Sequence, residues 1–592
     1  AAALLTASAV LGHQATFAAL CHVSNIDEIT GLSGLDTLLR GQLLFENPQE
    51  GNLTIPVYLF THDTIREVVY SEAGDARRRV FHRRALTWLK ESGASAAVLA
   101  HHARLAGQYE LAFQYLLEAG QNAMSLSASA QAANHFEEAH EIRPLLQKVY
   151  LDRLSQLYLN WGRTQELAGE YEKALDVYQL FIDLAQEQDD PNLLLSALIA
   201  RMTVYAAPTV YYNPTEVAAL ITKALPLAQS LGDQAAEAKI LWNSLLIKML
   251  SGDPEGAVQD GEASLALARQ NGLREQEAFT IHDLRRAYQY LGRFEQAITA
   301  LRTAQTLWRE LGNRAMLADS LSEEALFQAI LEGDYDAALE TAAEAQALSE
   351  EIGNIWNQSY GRLVTGFVLM ERGRFSEALA EMKMCITLGE QAGFHVPAVR
   401  TRAEMGLLFA YLGEYEHGIA VCETAVAKAD KMAALGAAPL AVLAYLHQLQ
   451  GNAKLADHYL QAARNHFYGE LTDFGVALIP WLGGEIALLQ GRGEETAELG
   501  QALTETLEQY GIRPFRAQAF WLQARAFDFL GQSEKARLTL EKAREAAEAL
   551  MVRPVLWQIY TRLAEIETNE ETAATYLSQA DKITRYISAQ YP

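Results

Sequence analysis

Two side chains that could contact a ligand, His62 and Asp63, stand side by side in the stretch YLFTHDTIREVVY. A strand-like run of apolar residues ends at this pair, and an amphipathic helical pattern begins there. The imidazole can donate a hydrogen bond to an anionic group, and the carboxylate can accept the free backbone N–H groups of a helix start. A histidine that only hydrogen-bonds within its own helix start is the structural alternative for His62.

The rest of the sequence offers no set of catalytic residues. It contains no G-x-x-x-x-G-K-[ST] phosphate loop, no H-E-x-x-H motif and no G-x-S-x-G motif. The adjacent His101 and His102 would point to different faces of a helix, which makes them a poor metal site. The three cysteines, Cys21, Cys385 and Cys422, are far apart, and we expect free thiols. We therefore expect no enzyme activity, no metal and no cofactor in this chain.

The charge balance argues against a nucleic-acid-binding protein. The 592 residues include 48 basic and 74 acidic side chains, a formal net charge of −26, whereas binding to a phosphate backbone needs a basic face. No signal peptide is recognisable at the N-terminus. The uncharged run 432–453 is interrupted by glycine, proline and polar residues, which favours a buried helix over a membrane span. We expect a cytoplasmic protein.

A glycine recurs along most of the chain at a spacing of about 40 residues. Tyr or Phe follows two residues later and a small residue five later, as in AGEYEKA at Gly169 and RGRFSEA at Gly373. From Gly252 onward the steps are 40, 41, 40, 40, 38, 40 and 40 residues. A second set of glycines lies halfway between. Each unit therefore predicts two helices of about 18 residues, each ending at a glycine turn.

This pattern resembles the tetratricopeptide repeat (TPR) in a forty-residue form. The TPR family also has a small residue seven positions before the turn glycine. Gly162, Gly366 and Gly406 fill that column here, but Arg285 and Leu326 break it. The resemblance implies an all-α fold: a right-handed superhelical solenoid of about 11–12 helical hairpins with a concave inner surface.

In TPR proteins the first helix of each pair lines the concave groove. In this chain the matching positions, thirteen, ten and six residues before the turn glycines, mix aromatic side chains with charges of both signs. Such a mixture is typical of grooves that bind a protein, a peptide or a small molecule. The candidates are Trp242, His282, Arg286, Glu323, Phe327, Tyr360, Phe367, Arg400, Tyr445, Trp481, Glu485, Trp521 and Arg525. The alternative for each is packing between neighbouring repeats.

The first 91 residues do not follow the repeat. Strand patterns in QLLFEN and LTIPVYLF are joined by the turn-forming PQEGN. Helical patterns precede them, at about 2–11, 14–22, 25–31 and 34–41, and one more helix follows. Three helices, a hairpin and a further helix are typical of a winged-helix domain. Its basic residues gather in the last helix instead of on a recognition helix, so we expect no DNA binding.

The predicted domains are a winged helix over 1–91, N-terminal TPR-like repeats over 92–206, an inserted loop over 207–216 and the main TPR-like solenoid over 217–592.

The order of a strand, FTHDTIREVVY, an arginine-rich helix and TPR-like repeats resembles the junction in STAND-class signalling ATPases and bacterial regulators. The His-Asp pair resembles their "MHD" motif, with Thr61 where that motif has Met. The resemblance implies that His62 contacts the phosphate of ATP or ADP held by an ATPase domain preceding Ala1, and that Asp63 caps the following helix. It also implies that ligand binding drives homo-oligomerisation.

Two functions remain open at this point. In the first, the repeats are the sensor of a STAND-type regulator, and the winged helix relays ligand binding to the nucleotide-binding domain. In the second, the repeats are a scaffold for protein partners and need no nucleotide.

Overall fold

The computed structural model describes residues 1–12, 15–47, 56–126, 128–148, 150–429, 433–466 and 475–590. They form two compact units, Ala1–Ala197 and Leu198–Pro592. Helices joined by short turns dominate both units, which confirms the predicted all-α, TPR-like solenoid. None of the helices within the described residues is long and apolar enough to cross a membrane.

The first unit begins with three helices, a strand pair and two more helices. Strands β1 and β2 are antiparallel, with Leu44 opposite Phe60 and Asn47 opposite Val57. The predicted PQEGN turn lies outside the described residues. The boundary predicted at residue 91 stays a prediction. The elements are α1 (Ala2–Leu11), α2 (Phe17–Ser24), α3 (Glu28–Arg40), β1 (Leu44–Asn47), β2 (Val57–Phe60), α4 (Asp63–Glu72), α5 (Asp75–Glu91), α6 (Ala96–Leu105), α7 (Tyr109–Ser125), α8 (Ser129–Ile142), α9 (Leu151–Leu167) and α10 (Tyr171–Glu187).

Two helical patterns that the sequence separated, 25–31 and 34–41, form the single helix α3. Asp27 caps its start, since Thr30 N donates to Asp27 Oδ1 at 3.0 Å. The helix then continues through Gly34, whose missing side chain allows close packing. A Cβ there would lie 2.6 Å from Leu4 Cδ1. Gly34 is therefore a contact point between α3 and α1.

The helices of the second unit follow one another in hairpins of about 40 residues. After α11 (Pro191–Ala206), which spans the boundary between the units, they are α12 (Pro214–Leu231), α13 (Gln234–Leu250), α14 (Pro254–Gln270), α15 (Arg274–Tyr290), α16 (Phe294–Leu311), α17 (Arg314–Phe327), α18 (Tyr335–Glu351), α19 (Ile355–Glu371), α20 (Phe375–Gln391), α21 (His395–Leu412), α22 (Tyr415–Lys428), α23 (Ala433–Leu449), α24 (Ala453–His466), α25 (Gly475–Leu489), α26 (Gly493–Gln509), α27 (Arg516–Phe529), α28 (Ser533–Leu550), α29 (Arg553–Ile566) and α30 (Glu570–Gln590).

Two irregularities of the sequence have local structural causes. The one step of 41 residues, from Gly292 to Gly333, contains a π-helical turn over Gln328–Glu332, and a π turn accommodates one extra residue in a helix. Between α11 and α12, residues 207–213 are non-helical. The next helix starts at Pro214 because Asn213 Oδ1 accepts a hydrogen bond from Glu216 N at 3.3 Å.

The column of small residues lets the two helices of a hairpin approach closely. A Cβ on Gly406 of α21 would lie only 2.4 Å from Cys422 Sγ of α22. The long side chain of Arg285 stands at the equivalent position of α15, where it is 2% exposed. The repeat tolerates this break because the guanidinium is paired inside the solenoid.

The second unit coils so that segments about 180 residues apart touch. Arg513 N donates to the backbone oxygen of Leu331 at 3.1 Å. Arg553 Nη1 donates to the backbone oxygen of Arg372 at 2.5 Å, and these residues are 181 positions apart. One turn of the superhelix therefore takes about four and a half of the 40-residue repeats.

Contact between successive superhelical turns can be measured with two equivalent glycines. Gly373 and Gly413 have φ of 69° and 77°. A Cβ on Gly373 would lie 3.1 Å from Arg553 Cβ and from Ile587 Cγ1, whereas nothing lies within 4 Å of one on Gly413. Alanine at either site costs about 1 kcal/mol of backbone strain, but only Gly373→Ala also disturbs the next turn. We expect Gly373→Ala to lower the midpoint of urea unfolding clearly more than Gly413→Ala. Equal losses would show that this contact adds no stability.

Candidate ligand-binding site

The thirteen candidate groove residues lie on the first helices of eight consecutive hairpins, from α13 to α27. Nine are buried and four polar ones keep some contact with solvent. The buried nine are Trp242, His282, Glu323, Phe327, Tyr360, Phe367, Trp481, Glu485 and Trp521.

A network of charges connects α13, α15 and α17. Trp242 Nε1 donates to Asp283 Oδ2 at 2.7 Å. Arg286 Nη2 lies 2.5 Å from Glu323 Oε1, and Arg285 donates to the other oxygen of Glu323. One carboxylate thus receives two guanidinium groups, which fixes α15 against α17.

The two arginines keep Glu323 ionised although it is 1% exposed. Burial alone would raise its pKa, but Arg285 and Arg286 together lower the pKa to about 2. Burial raises the pKa of the neighbouring Asp283, which the charges of His282 and Arg286 only partly offset. The network therefore has one fully paired carboxylate and one less well compensated.

His282 is held from two sides by residues of α17. Its Nε2 lies 2.9 Å from Asp319 Oδ2, and its Nδ1 lies 2.9 Å from Ser320 Oγ. Burial would lower the pKa of His282, but the bond to Asp319 raises it. Asp, His and Ser are also the residue types of a nucleophilic triad. Ser320 is 0% exposed, so no substrate can reach its hydroxyl and the set is a buried polar contact.

The rings of the aromatic candidates Phe367 and Trp481 both lie near the ring of Phe515, a residue outside the repeat columns. The ring of Phe515 lies 6.5 Å from that of Phe367 and 6.1 Å from that of Trp481, centroid to centroid. Phe515 is 3% exposed and has φ of 63°, a conformation that is costly for a bulky side chain. It brings α19 and α25 together at the start of α27.

Trp481 also belongs to a polar group on α25 and α27. Its Nε1 donates to Glu485 Oε1 at 3.1 Å, and Arg525 donates to the same oxygen. The guanidinium of Arg525 lies 4.8 Å from the centre of the Trp521 ring, a cation–π distance.

Two further aromatic candidates pack between repeats. Phe327 meets Phe294 edge to face with centroids 6.2 Å apart. Tyr360 meets Phe394 in the same manner at 6.0 Å. The sequence-based alternative, packing between neighbouring repeats, therefore describes part of what these two rings do.

Four polar candidates remain accessible. The side chains of Arg286, Arg400 and Arg525 are 20%, 11% and 25% exposed, and Tyr445 is half-buried. Arg400 Nε donates to Glu404 Oε1 at 3.2 Å. These side chains give the inner helices a polar surface on which a ligand could bind.

Sequence columns missed a group of hydrogen-bond acceptors on the inner helices α19, α21 and α27 and at the start of α18, which we name the Glu371 cluster. It consists of Glu371, Glu404, Tyr335, Tyr411 and Gln518. Gln518 Nε2 donates to Glu371 Oε2 at 3.2 Å. Tyr335, Glu404 and Tyr411 each lie close enough to Glu371 for the two groups to interact electrostatically. Burial raises the pKa of each carboxyl, Glu371 and Glu404, to about 7. Two acids in α-helices carry no sequence signal that separates them from surface residues.

The His-Asp pair lies at the start of α4. The prediction that Asp63 caps this helix is wrong. His62 occupies the N-cap position, because its backbone oxygen accepts from Ile65 N at 3.1 Å, and the helix begins at Asp63 itself. The Asp63 carboxylate lies 3.7 Å from Arg66 Nε. His62 is exposed and its side chain makes no cap hydrogen bond.

Of the adjacent histidines of α6, His102 belongs to a hydrogen-bonded chain, whereas His101 is exposed. Tyr70 Oη lies 2.8 Å from His82 Nε2, and His82 Nδ1 lies 2.9 Å from His102 Nδ1. Burial lowers the pKa of His82 to about 3 and that of His102 to about 4, so both rings are neutral at physiological pH. Among the described residues, no group of three or more His, Cys, Asp and Glu could hold a metal ion.

The paired carboxylate of Glu323 should contribute stability that depends on pH. Its pKa is about 2 in the folded chain against 4.5 as the reference value, so the contribution is complete above pH 4.5 and is lost as the pH falls towards 2. Glu323→Gln should destabilise the protein by about 3 kcal/mol at pH 7, since both guanidinium groups lose their charge partner. Chemical unfolding at pH 7 measures this loss.

A matched control is Glu351→Gln, which removes the partner of Arg314 from an exposed ion pair. It should change the unfolding midpoint little. If both variants unfold alike, the buried network does not stabilise the solenoid.

Comparison with known proteins gives no family for this chain. No family model matches it, and no curated protein matches it. Among solved structures, a STAND protein with a TPR sensor from Pyrococcus horikoshii is 14% identical, with a TM-score of 0.36, over 78% of this chain. The chain spans 62% of the length of that protein.

Two other solved structures are similar over most of their own length. A Rap protein complexed with Competence and Sporulation Factor is 12% identical over 68% of this chain and 99% of its own, with a TM-score of 0.38. The quorum sensor NprR from B. thuringiensis, in its apo form, is 14% identical over 60% and 98%, with a TM-score of 0.39. At these low TM-scores no function follows from the similarity.

Proposed function

We propose that this chain is the sensor part of a STAND-type regulator. A protein, peptide or small-molecule ligand binds the inner helices of the solenoid, and a winged-helix segment relays binding to a nucleotide-binding domain. The partial exposure of Arg286, Arg400, Tyr445 and Arg525 among buried neighbours carries this proposal.

Partly exposed arginines and tyrosines on inner helices suit ligand recognition. Arg525 is already oriented by Glu485 and by the ring of Trp521. A guanidinium that is held in place loses little conformational freedom when it binds a ligand. The ligand would therefore meet a surface whose polar groups are already positioned.

The polar chain in the first unit supports the relay. Tyr70 stands near the end of α4, the helix that begins after His62, and its hydroxyl bonds to His82 of α5. His82 in turn bonds to His102 of α6, the helix with which the predicted repeats begin. A displacement of α6 would thus reach α4 through two hydrogen bonds, one buried and one part-buried. Both bonds have strict geometry, which suits a switch between two discrete arrangements.

The order α1–α3, β1, β2, α4 and α5 supports the winged-helix assignment of the first 91 residues. In this proposal the exposed His62 contacts the phosphate of ATP or ADP bound by a domain encoded upstream of Ala1. The regulator works in the cytoplasm, binds no nucleic acid through this region, and forms homo-oligomers when its ligand is bound.

The relay predicts that His62 controls nucleotide retention in the full-length protein. We expect His62→Ala to speed the release of a fluorescent ADP analogue by roughly 10- to 100-fold, because a hydrogen bond to a charged phosphate is lost. His458→Ala, at an exposed site on α24, should leave the release rate unchanged.

An unchanged release rate in His62→Ala would rule out the relay. A stable partner that binds equally well with and without nucleotide would then point to the scaffold function.

A further inference from the structure

The Glu371 cluster contains more buried acceptors than the chain satisfies. The unpartnered atoms within the described residues include Tyr335 Oη, Tyr411 Oη, Glu404 Oε2 and Gln518 Oε1. Three of these residues, Tyr335, Glu404 and Gln518, are 3%, 0% and 0% exposed. Buried polar atoms in proteins almost always have a partner, so four in one cluster indicate a missing group.

The charge of the cluster defines what that group is. Glu371 forms no ion pair within the part of the chain that the structure describes, and its bond is to the neutral amide of Gln518. Arg400 bonds to Glu404 through the oxygen opposite the unpartnered one. A group that donates hydrogen bonds and carries positive charge would satisfy these acceptors and give the Glu371 carboxylate a charge partner.

A metal ion does not fit these ligands, but an ammonium group does. Only two carboxylates converge here, and among the described residues no set of three metal-binding side chains exists. An ammonium group has three N–H donors and no acceptor. It can bond to a carboxylate, a phenol oxygen and an amide oxygen at the same time.

The cluster lies next to the candidate groove. Tyr411 is half-buried, and so is Tyr445, whose charge would affect the pKa of Tyr411. The other members of the cluster are at most 3% exposed, so a ligand on the inner helices would reach them only by displacing neighbouring side chains such as these two tyrosines.

We infer that the Glu371 cluster binds the primary ammonium group of the ligand, as found at a peptide amino terminus or in a small amine. This inference rests on the proposed function, because it places one end of the sensed ligand. It goes beyond that function by assigning the ligand class and the residues that select it.

Binding of an ammonium group should release protons near neutral pH. Both carboxyls are partly protonated at pH 7, since burial raises their pKa values to about 7. The groups that face them are Tyr335, Tyr411 and Gln518, with Arg400 and Cys385 near Glu404. Arg372 and Arg513 lie near Tyr335, and Tyr445 and Glu485 lie near Tyr411. A bound cation favours the ionised carboxylates and lowers their pKa values.

The test uses n-butylamine as the cationic probe and n-butyramide as its uncharged match. Calorimetry on the whole chain at pH 7, in two buffers of different ionisation enthalpy, measures affinity and proton release. We expect butylamine to bind with release of up to one proton and butyramide not to bind. The Glu371→Gln and Glu404→Gln variants should each bind butylamine at least tenfold more weakly. Glu377→Gln, at an exposed acid of α20 paired with Arg374, should bind butylamine like the unmodified chain.

Two results would overturn the inference. One is equal butylamine affinity in Glu371→Gln and the unmodified chain, with circular dichroism showing both folded. The other is a crystal soaked in butylamine in which ordered water alone bonds to Tyr335 Oη and Gln518 Oε1. If Arg525→Ala still weakens the binding of a ligand isolated with the protein, the proposed function stands and only the inferred ammonium site is wrong.

Discussion

The second unit depends on contact between successive turns of its superhelix, which recurs after about four and a half repeats. Arg553 on the backbone of Arg372 is one such contact, 181 residues along the chain. Winding this tightly brings first helices of distant hairpins together, so side chains that a wider superhelix would leave in water lose much of their hydration. Every polar group on those helices must then find a partner or remain unsatisfied.

The chain meets this demand in two different ways. Glu323 is satisfied by two guanidinium groups, and its pKa falls to about 2. Within the described residues the one partner of Glu371 is an amide, and burial raises its pKa to about 7. A glutamate carboxylate thus joins α15 to α17 through ion pairs at Glu323, whereas at Glu371 on α19 it remains without a positively charged partner among the described residues. The difference lies in how many cations the neighbouring helices supply.

The repeat itself could be predicted from sequence because its determinants are local. A turn with a left-handed backbone favours glycine. A small residue such as Gly406 is needed where the neighbouring helix places Cys422 Sγ 2.4 Å from the position of a Cβ. The contacts of the candidate site depend instead on the superhelical pitch. Phe515 meets Phe367 across four repeats, and a period of 40 residues does not encode that distance. Asp63 shows a local limit, since an N-cap and a first helical residue differ by a single position.

Unsatisfied buried oxygens on α18, α21 and α27 make this part of the second unit less stable than a fully paired one would be. Proteins commonly accept such a cost where a site must bind something, because groups already satisfied within the chain have little to gain from a ligand. A ligand that completes these hydrogen bonds stabilises the wound form of the superhelix over any looser one. Since the contacts between turns involve both Arg372 on one turn and Arg553 on the next, a change in winding would move whole hairpins together. Local satisfaction of a few buried oxygens would in this way become a rearrangement of hairpins within the second unit.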